Sequence, residues 1–272
     1  MTILYDAVGR TPSLKLGWGY SALVEYAGKR ILFDTGGNLD DFTANVNALG
    51  VDLSLLDFVV LTHRHGEHTS GLHYVLKVNP NVQIYTPVEQ SQFDTPSTPA
   101  LVKMINRRVD SAPDDMHYFD GRIPERLASG SPWPGAKFVQ IPKLTEVVSG
   151  FWLFSTVSDV AGTKEMNEVS MAIRTPHGLV IMVGCSHPGI EKILEAGVKI
   201  EPKVYSVFGG FHLAADSDAE VRSLVTRIHD KWKSERVAAG HCTGEFAFSE
   251  FNRIYEAKYD HAVVGAVISL PR

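Results

Sequence analysis

Short apolar runs, most of them closed by glycine, histidine or aspartate, divide the chain into strand and helix units. Ser21 to Tyr26 and Arg30 to Phe33 read as two strands joined at Ala27-Gly28-Lys29, with a glycine at the turn. A helix over Leu39 to Leu49 stops at Gly50. Phe58-Val59-Val60-Leu61 is a strand, Ser70 to Val78 a helix ended by Asn79-Pro80, and Val82 to Tyr85 a further strand. Regularity resumes with Glu146 to Val157, Ser170 to Arg174 and Leu179 to Val183, the last apolar on both faces and therefore central. A helix from Gly189 to Ala196 and a strand from Val204 to Phe208 follow. Val221, Leu224, Val225 and Ile228 fall at helical spacing within Asp218 to Trp232. The strand Arg236 to Ala239, a helix Glu245 to Tyr259 and a strand Val263 to Leu270 close the chain.

Between Pro87 and Pro142 the pattern breaks down into a stretch rich in proline, serine and aspartate. Long irregular insertions are usually lids or disordered segments. Phe93, Met104, Tyr118, Phe119 and Trp133 are too many large apolar groups for disorder, so residues 87–142 read as a cap. Arg107, Arg108 and Arg122 lie in it and read as solvated side chains, with contact to an anionic substrate as the other reading.

At 272 residues the chain is at the upper end for one domain, and we read 1–272 as a single unit carrying that insertion. Charged residues make up 21%, ordinary for a globular enzyme, and a net charge of -5 gives no reason to expect nucleic acid. No run approaches membrane-spanning length, and the first residues lack a basic region followed by a long apolar stretch. The expectation is a cytoplasmic chain with Cys185 and Cys242 reduced.

Candidate chemistry concentrates in Thr62-His63-Arg64-His65-Gly66-Glu67-His68, directly after an apolar strand. Imidazole and carboxylate are the ligands that zinc and its first-row neighbours prefer. Crowding such groups without a metal would bury polar atoms for no return. Asp34, His187, His212 and His241 occupy the same kind of position, each after an apolar strand and beside glycine or a helix start. Loops beyond the carboxyl ends of strands converge on ligand sites in α/β sheets. His73, His117, His177, His229 and His261 do not share that setting and read as surface or packing residues.

The pattern His63-x-His65-x-Glu67-His68 resembles the metallo-β-lactamase superfamily signature, with glutamate where the family has aspartate. The extra methylene lengthens the reach by about 1.5 Å. Gly184-Cys185-Ser186-His187-Pro188-Gly189, Gly209-Gly210-Phe211-His212-Leu213 and Ala239-Gly240-His241-Cys242-Thr243-Gly244 together resemble one branch of it, the dihydropterin-ribofuranosylaminobenzene-phosphate synthase-like metallo-hydrolases. The resemblance implies an α/β fold, a four-layer αβ/βα sandwich of two mixed sheets with helices outside. It implies that Asp34 buttresses the metal loop. It places His63, His65 and His187 on a first ion and Glu67, His68 and His241 on a second. Cys185 stands where many relatives have a bridging aspartate, and is either a thiolate bridge or a small buried residue. His212 is a ligand, a proton shuttle, a phosphate contact or a residue bonded to backbone.

The implied activity is metal-dependent hydrolysis of an ester-like or phosphodiester substrate, with one or two zinc ions, or manganese or iron. Transfer to a pterin-like acceptor, or a binding or sensor protein with weak residual hydrolysis, are the alternatives. The expected partner is a small molecule, anionic or ring-containing, with no nucleic acid or membrane; a homo-oligomer is compatible with the chain.

Overall fold

The computed structural model describes residues 1–88, 108–119 and 136–271. Strands β1 (Thr2–Tyr5), β2 (Ser21–Tyr26), β3 (Lys29–Phe33), β4 (Phe58–Val60), β5 (Gln83–Pro87) and β6 (Lys137–Ile141) form one sheet in that order. The first three are antiparallel to one another, and β3 to β6 run parallel. A second sheet has the order β12-β11-β10-β9-β8-β7. Its members are β7 (Thr145–Val148), β8 (Phe151–Val157), β9 (Asn167–Thr175), β10 (Gly178–Val183), β11 (Val204–Gly210) and β12 (Arg236–Gly240). Here β7 to β10 are antiparallel and β10 to β12 parallel, so both sheets are mixed.

Alternation of side chains sets the layers. Val180 and Met182 of β10 join Phe33, Val60 and Phe208 in a core between the sheets. Leu179, Ile181 and Val183 point the other way, beneath helices α4 (Ile190–Gly197), α5 (Asp218–Asp230) and α6 (Glu245–Tyr255), where they pack with Ile193, Val225 and Phe248. On the outer face of the first sheet, Leu32 and Val59 pack against Phe42 of α1 (Leu39–Ala48) and Leu72 and Val75 of α3 (Leu72–Val78). Between them in the chain lies the short helix α2 (Gly66–Thr69). The result is the four-layer αβ/βα sandwich that the resemblance implied. Each fully buried Leu, Ile or Val contributes about 1.5–3 kcal/mol, which makes β10, buried along its whole length, the costliest strand to interrupt.

Several predicted boundaries differ, four of them by more than a few residues or in kind. Lys137–Ile141, placed within the irregular stretch, is β6 and pairs in parallel with β5; four of its five residues are exposed, so no hydrophobic alternation marks it. Glu146 to Val157 is not one strand but the hairpin β7–β8, which turns at Gly150 with φ 82°. Val263 to Leu270 forms no strand. It turns at Gly265 and closes the edge of β1 through bonds between Ile3 and both Gly265 and Ala266, and between Met1 and Ile268. The α-helical part of Glu245 to Tyr259 ends at Tyr255.

Phe93, Met104, Arg107, Arg122 and Trp133 lie outside the described residues. The described part of the insertion sends Ala112, Met116, Tyr118 and Phe119 into the core under α4–α6, and Tyr118 Oη accepts the Gly244 N–H at 2.8 Å. Arg108 is exposed. No helix among the described residues is long and apolar enough to cross a membrane.

Candidate metal centre

At four strand ends a non-glycine residue adopts a left-handed backbone: Asp34 (φ 57°), Ser186 (φ 62°), His212 (φ 54°) and His241 (φ 50°). Such a conformation costs about 1–2 kcal/mol and turns the chain sharply as it leaves the sheet. Its concentration at these loops marks backbone held in place by its surroundings.

Three imidazoles meet first. His63 Nε2 lies 3.1 Å from His65 Nδ1, and the His187 ring is 4.6 Å from that of His63 and 4.8 Å from that of His65. One donor atom from each of the three falls within 4.8 Å of the others. Their tautomers follow from their partners. Thr62 Oγ1 has a single proton and gives it to Asp34 Oδ2 at 2.8 Å, so at 2.9 Å it accepts from His63 Nδ1–H. His187 Nδ1–H donates to Glu168 Oε2 at 3.0 Å. In the neutral ring of each, Nε2 of His63 and of His187 then carries the lone pair.

A thiol joins the second group. His68 Nδ1 donates to Asp34 Oδ2 at 2.7 Å, and its Nε2 lies 3.2 Å from Cys185 Sγ. His241 Nε2 lies 3.2 Å from the same sulfur. His63, His68 and Cys185 form one convergent triad, and Cys185, His241 and Cys242 another, so the three triads share His63 and Cys185 as corners. Both cysteines are free and buried.

Three buried carboxylates hold these loops. Asp34 also accepts the Thr62 N–H at 2.8 Å, so it clamps the first histidine loop from the neighbouring strand. Glu168 accepts the backbone N–H groups of Cys185 (2.9 Å), Ser186 (2.7 Å) and His187 (2.9 Å). Asp6 accepts the N–H of His241 at 3.0 Å and that of Ala7 at 2.6 Å. Sequence reasoning missed the last two. Glu168 stands at the start of β9, which reaches the same edge because it runs antiparallel to β10, and a rule about strand carboxyl ends passes over it. Asp6 obeys that rule, but β1 is only four residues long and was not recognised as a strand. Its apolar run Ile3-Leu4-Tyr5 ending in aspartate is the signal that could have found it.

Burial pulls His63 and His241 well below the usual imidazole range, and neighbouring imidazoles add to this. Burial likewise brings His65 to about 4, against the attraction of Glu67. Burial would raise Glu168, but the His187 imidazole and the loop N–H groups outweigh it and bring the carboxyl to about 2. Burial would lower His68, but the Asp34 carboxylate outweighs it and holds that imidazole above the usual range, while burial raises Asp34, Asp6 and Cys185. The site is thus a convergence of imidazole nitrogens and cysteine sulfurs among buried carboxyl groups. That donor set fits zinc and its first-row neighbours.

Glu67 is buried beside the first histidine loop. Its Oε1 is 3.7 Å from His65 Nδ1, and among the described residues it belongs to none of the convergent triads. Burial would raise its carboxyl, but His65 and His68 hold it below the usual range. The His212 ring packs against that of His187, tilted by 51° with centroids 4.7 Å apart. Burial, reinforced by His187, brings it to about 4. It lines a cleft of about 320 Å³ with Lys192, Leu213 and Asp216. Away from the centre, His117 is buried 3.1 Å from Glu245 and ties the insertion to α6.

Comparison with known proteins bears on the family and the fold. A sequence profile of the metallo-β-lactamase superfamily matches residues 16–107. The 7,8-dihydropterin-6-methyl-4-(β-D-ribofuranosyl)-aminobenzene-5'-phosphate synthase of Methanocaldococcus jannaschii is 29% identical, over 98% of this chain and 95% of its own. Tm1679, described as a metal-dependent hydrolase of the β-lactamase superfamily, superposes with a TM-score of 0.73 at 25% identity, covering 100% of this chain and 98% of that one. The short form of human tRNase Z shares the fold, with a TM-score of 0.54 at 14% identity over 100% of this chain and 99% of its own.

Proposed function

We propose that this chain, whose residues 16–107 match the metallo-β-lactamase superfamily and whose fold is that of Tm1679, is a metal-dependent hydrolase of an ester-like or phosphodiester substrate. The observation that carries the proposal is the His63, His65 and His187 triad, built from both sheets, in which His63 and His187 are oriented by the hydrogen bonds they donate to Thr62 and Glu168. A divalent ion such as zinc, manganese or iron bound there supplies a Lewis acid that lowers the pKa of water and polarises an oxygen of the substrate. In this proposal His63, His65 and His187 hold the first ion, and His68, Cys185 and His241, with or without Glu67, a second. Asp34 and Glu168 act through the ligands as positioning residues, a role that typically changes metal affinity 10–100-fold. The cleft beside His187 takes the substrate, and His212, kept neutral, accepts or returns a proton there at a ring nitrogen.

The test is metal analysis of the purified chain, followed by turnover of bis(p-nitrophenyl) phosphate, an aryl lactone and an acyl thioester. His63→Ala with His65→Ala should lose metal and turnover together. Unchanged metal content in that double variant would sink the proposal.

A second proposal is favoured by one observation, the similarity to the Methanocaldococcus synthase along nearly the whole chain. Here the same centre serves transfer to a dihydropterin acceptor. Consumption of a dihydropterin by the metal-loaded chain, with no turnover of the three hydrolase substrates, would decide for transfer.

A further inference from the structure

Cys242 holds no ion in the function proposed above, yet the fold brings it to the centre across a neighbouring strand. Cys185 follows β10 and Cys242 follows β12, with β11 between them. Strands two apart in a sheet are separated by about 9–10 Å, but one donor atom each from Cys185, His241 and Cys242 lies within 4.8 Å of the others. The approach is made over Gly210 at the end of β11. A Cβ there would sit 2.6 Å from Cys242 Sγ, 2.7 Å from Gly184 O and 3.1 Å from His241 Cδ2. Any side chain at 210 would therefore block the space through which the second sulfur reaches the first. Cys242 Sγ is also 3.6 Å from Cys185 O, which keeps it on the side of Cys185. Both sulfur-bearing residues are almost fully buried, at 2% and 1% exposure.

Filling a small apolar gap is the usual task of a buried cysteine. It does not require two sulfurs and an imidazole nitrogen at one point, nor a glycine to clear the way. We propose that Cys242 is a metal ligand, joining Cys185 and His241 in a thiolate-rich position separate in character from the all-imidazole triad. Thiolate favours soft and borderline ions, so this position takes zinc(II), cadmium(II) or cobalt(II) and rejects magnesium or manganese. Loading it converts two thiols to thiolates and releases two protons to solvent, with no change in oxidation state. The proposal rests on the assignment of these loops to a metal centre.

The experiment is a cobalt(II) titration of the reduced, chelator-stripped full-length chain, followed by absorbance. Thiolate-to-cobalt charge transfer in the near ultraviolet reports sulfur ligands, and visible d–d bands report bound cobalt of any kind. The parent should show both, and Cys242→Ser and Cys242→Ala should each lower the charge-transfer band about twofold while the d–d bands persist. Removing the other triad with His63→Ala and His187→Ala should leave the charge-transfer band in place. Circular dichroism melting checks the fold of each variant, and the serine and alanine changes stand in for one another if either fails to fold. A charge-transfer band as strong in both Cys242 variants as in the parent overturns the proposal. So does thiol titration of the unfolded, unreduced chain that finds Cys185 and Cys242 joined as a disulfide. Cobalt binding in the parent without any charge transfer also defeats it while the metal centre stands, whereas no cobalt binding at all defeats both.

Discussion

Asp34 and Glu168 do comparable work on opposite sheets, and the difference between them separates loop shape from ligand chemistry. Each is buried one strand away from the loop that it holds, Asp34 beside β4 and Glu168 beside β10. Asp34 directs most of its bonds to side chains: it orients His68 directly and His63 through the Thr62 hydroxyl. Glu168 directs most of its bonds to backbone, three successive N–H groups, and orients only His187. Removing Glu168 should therefore cost mainly stability, and removing Asp34 mainly metal affinity.

The largest effect is expected from Glu168→Ala. It strands three buried N–H groups and an imidazole, a loss of about 3–5 kcal/mol by analogy with breaking a buried charged pair. Denaturant unfolding of the metal-free chain measures it, and a loss below about 1 kcal/mol would show that water replaces the carboxylate. Next comes Asp34→Asn, which preserves one acceptor for the Thr62 N–H but places an N–H₂ group against His68 or Thr62. Metal affinity should fall about 10–100-fold, with a smaller stability loss than in Glu168→Ala. The reverse ranking would invert the comparison.

Acid sharpens it further. Glu168 titrates at about 2 when folded, below the ordinary 4.5 of an unfolded glutamate. Its contribution is complete above the unfolded value and is lost as the pH falls from there toward about 2. Urea midpoints of the metal-free chain should decline across that window, and Glu168→Gln should flatten the decline. A parallel decline in both proteins would contradict the assignment. The smallest effect is expected from Glu67→Gln. With its carboxylate 3.7 Å from His65 and outside the convergent triads, metal affinity should change by less than about tenfold. Loss of a full metal equivalent would put Glu67 back among the ligands.

Much of this centre was legible in the chain, because its ligands are named by local features. A histidine-rich turn directly after Phe58–Leu61, and histidines after the apolar runs ending at Val183, Phe208 and Ala239, mark donors wherever the strands are packed. The sandwich was legible through the family resemblance that those motifs carry, and alternation along each strand then decides which face is buried. Glu168 was not legible, because its role depends on the direction in which β9 runs relative to β10, a property of pairing and not of composition. Strand β6 and the edge-closing segment at Gly265 escaped for the same reason: their partners lie far away in the chain. The 3.7 Å approach of Glu67 to His65 follows from the orientation of a short helix, which spacing alone leaves open. The sequence by itself determined which donor atoms exist and which strand ends carry them. Only the tertiary structure decided which donors meet, because distances between loops are set by sheet order, by strand direction and by the single glycine over which two sulfurs approach.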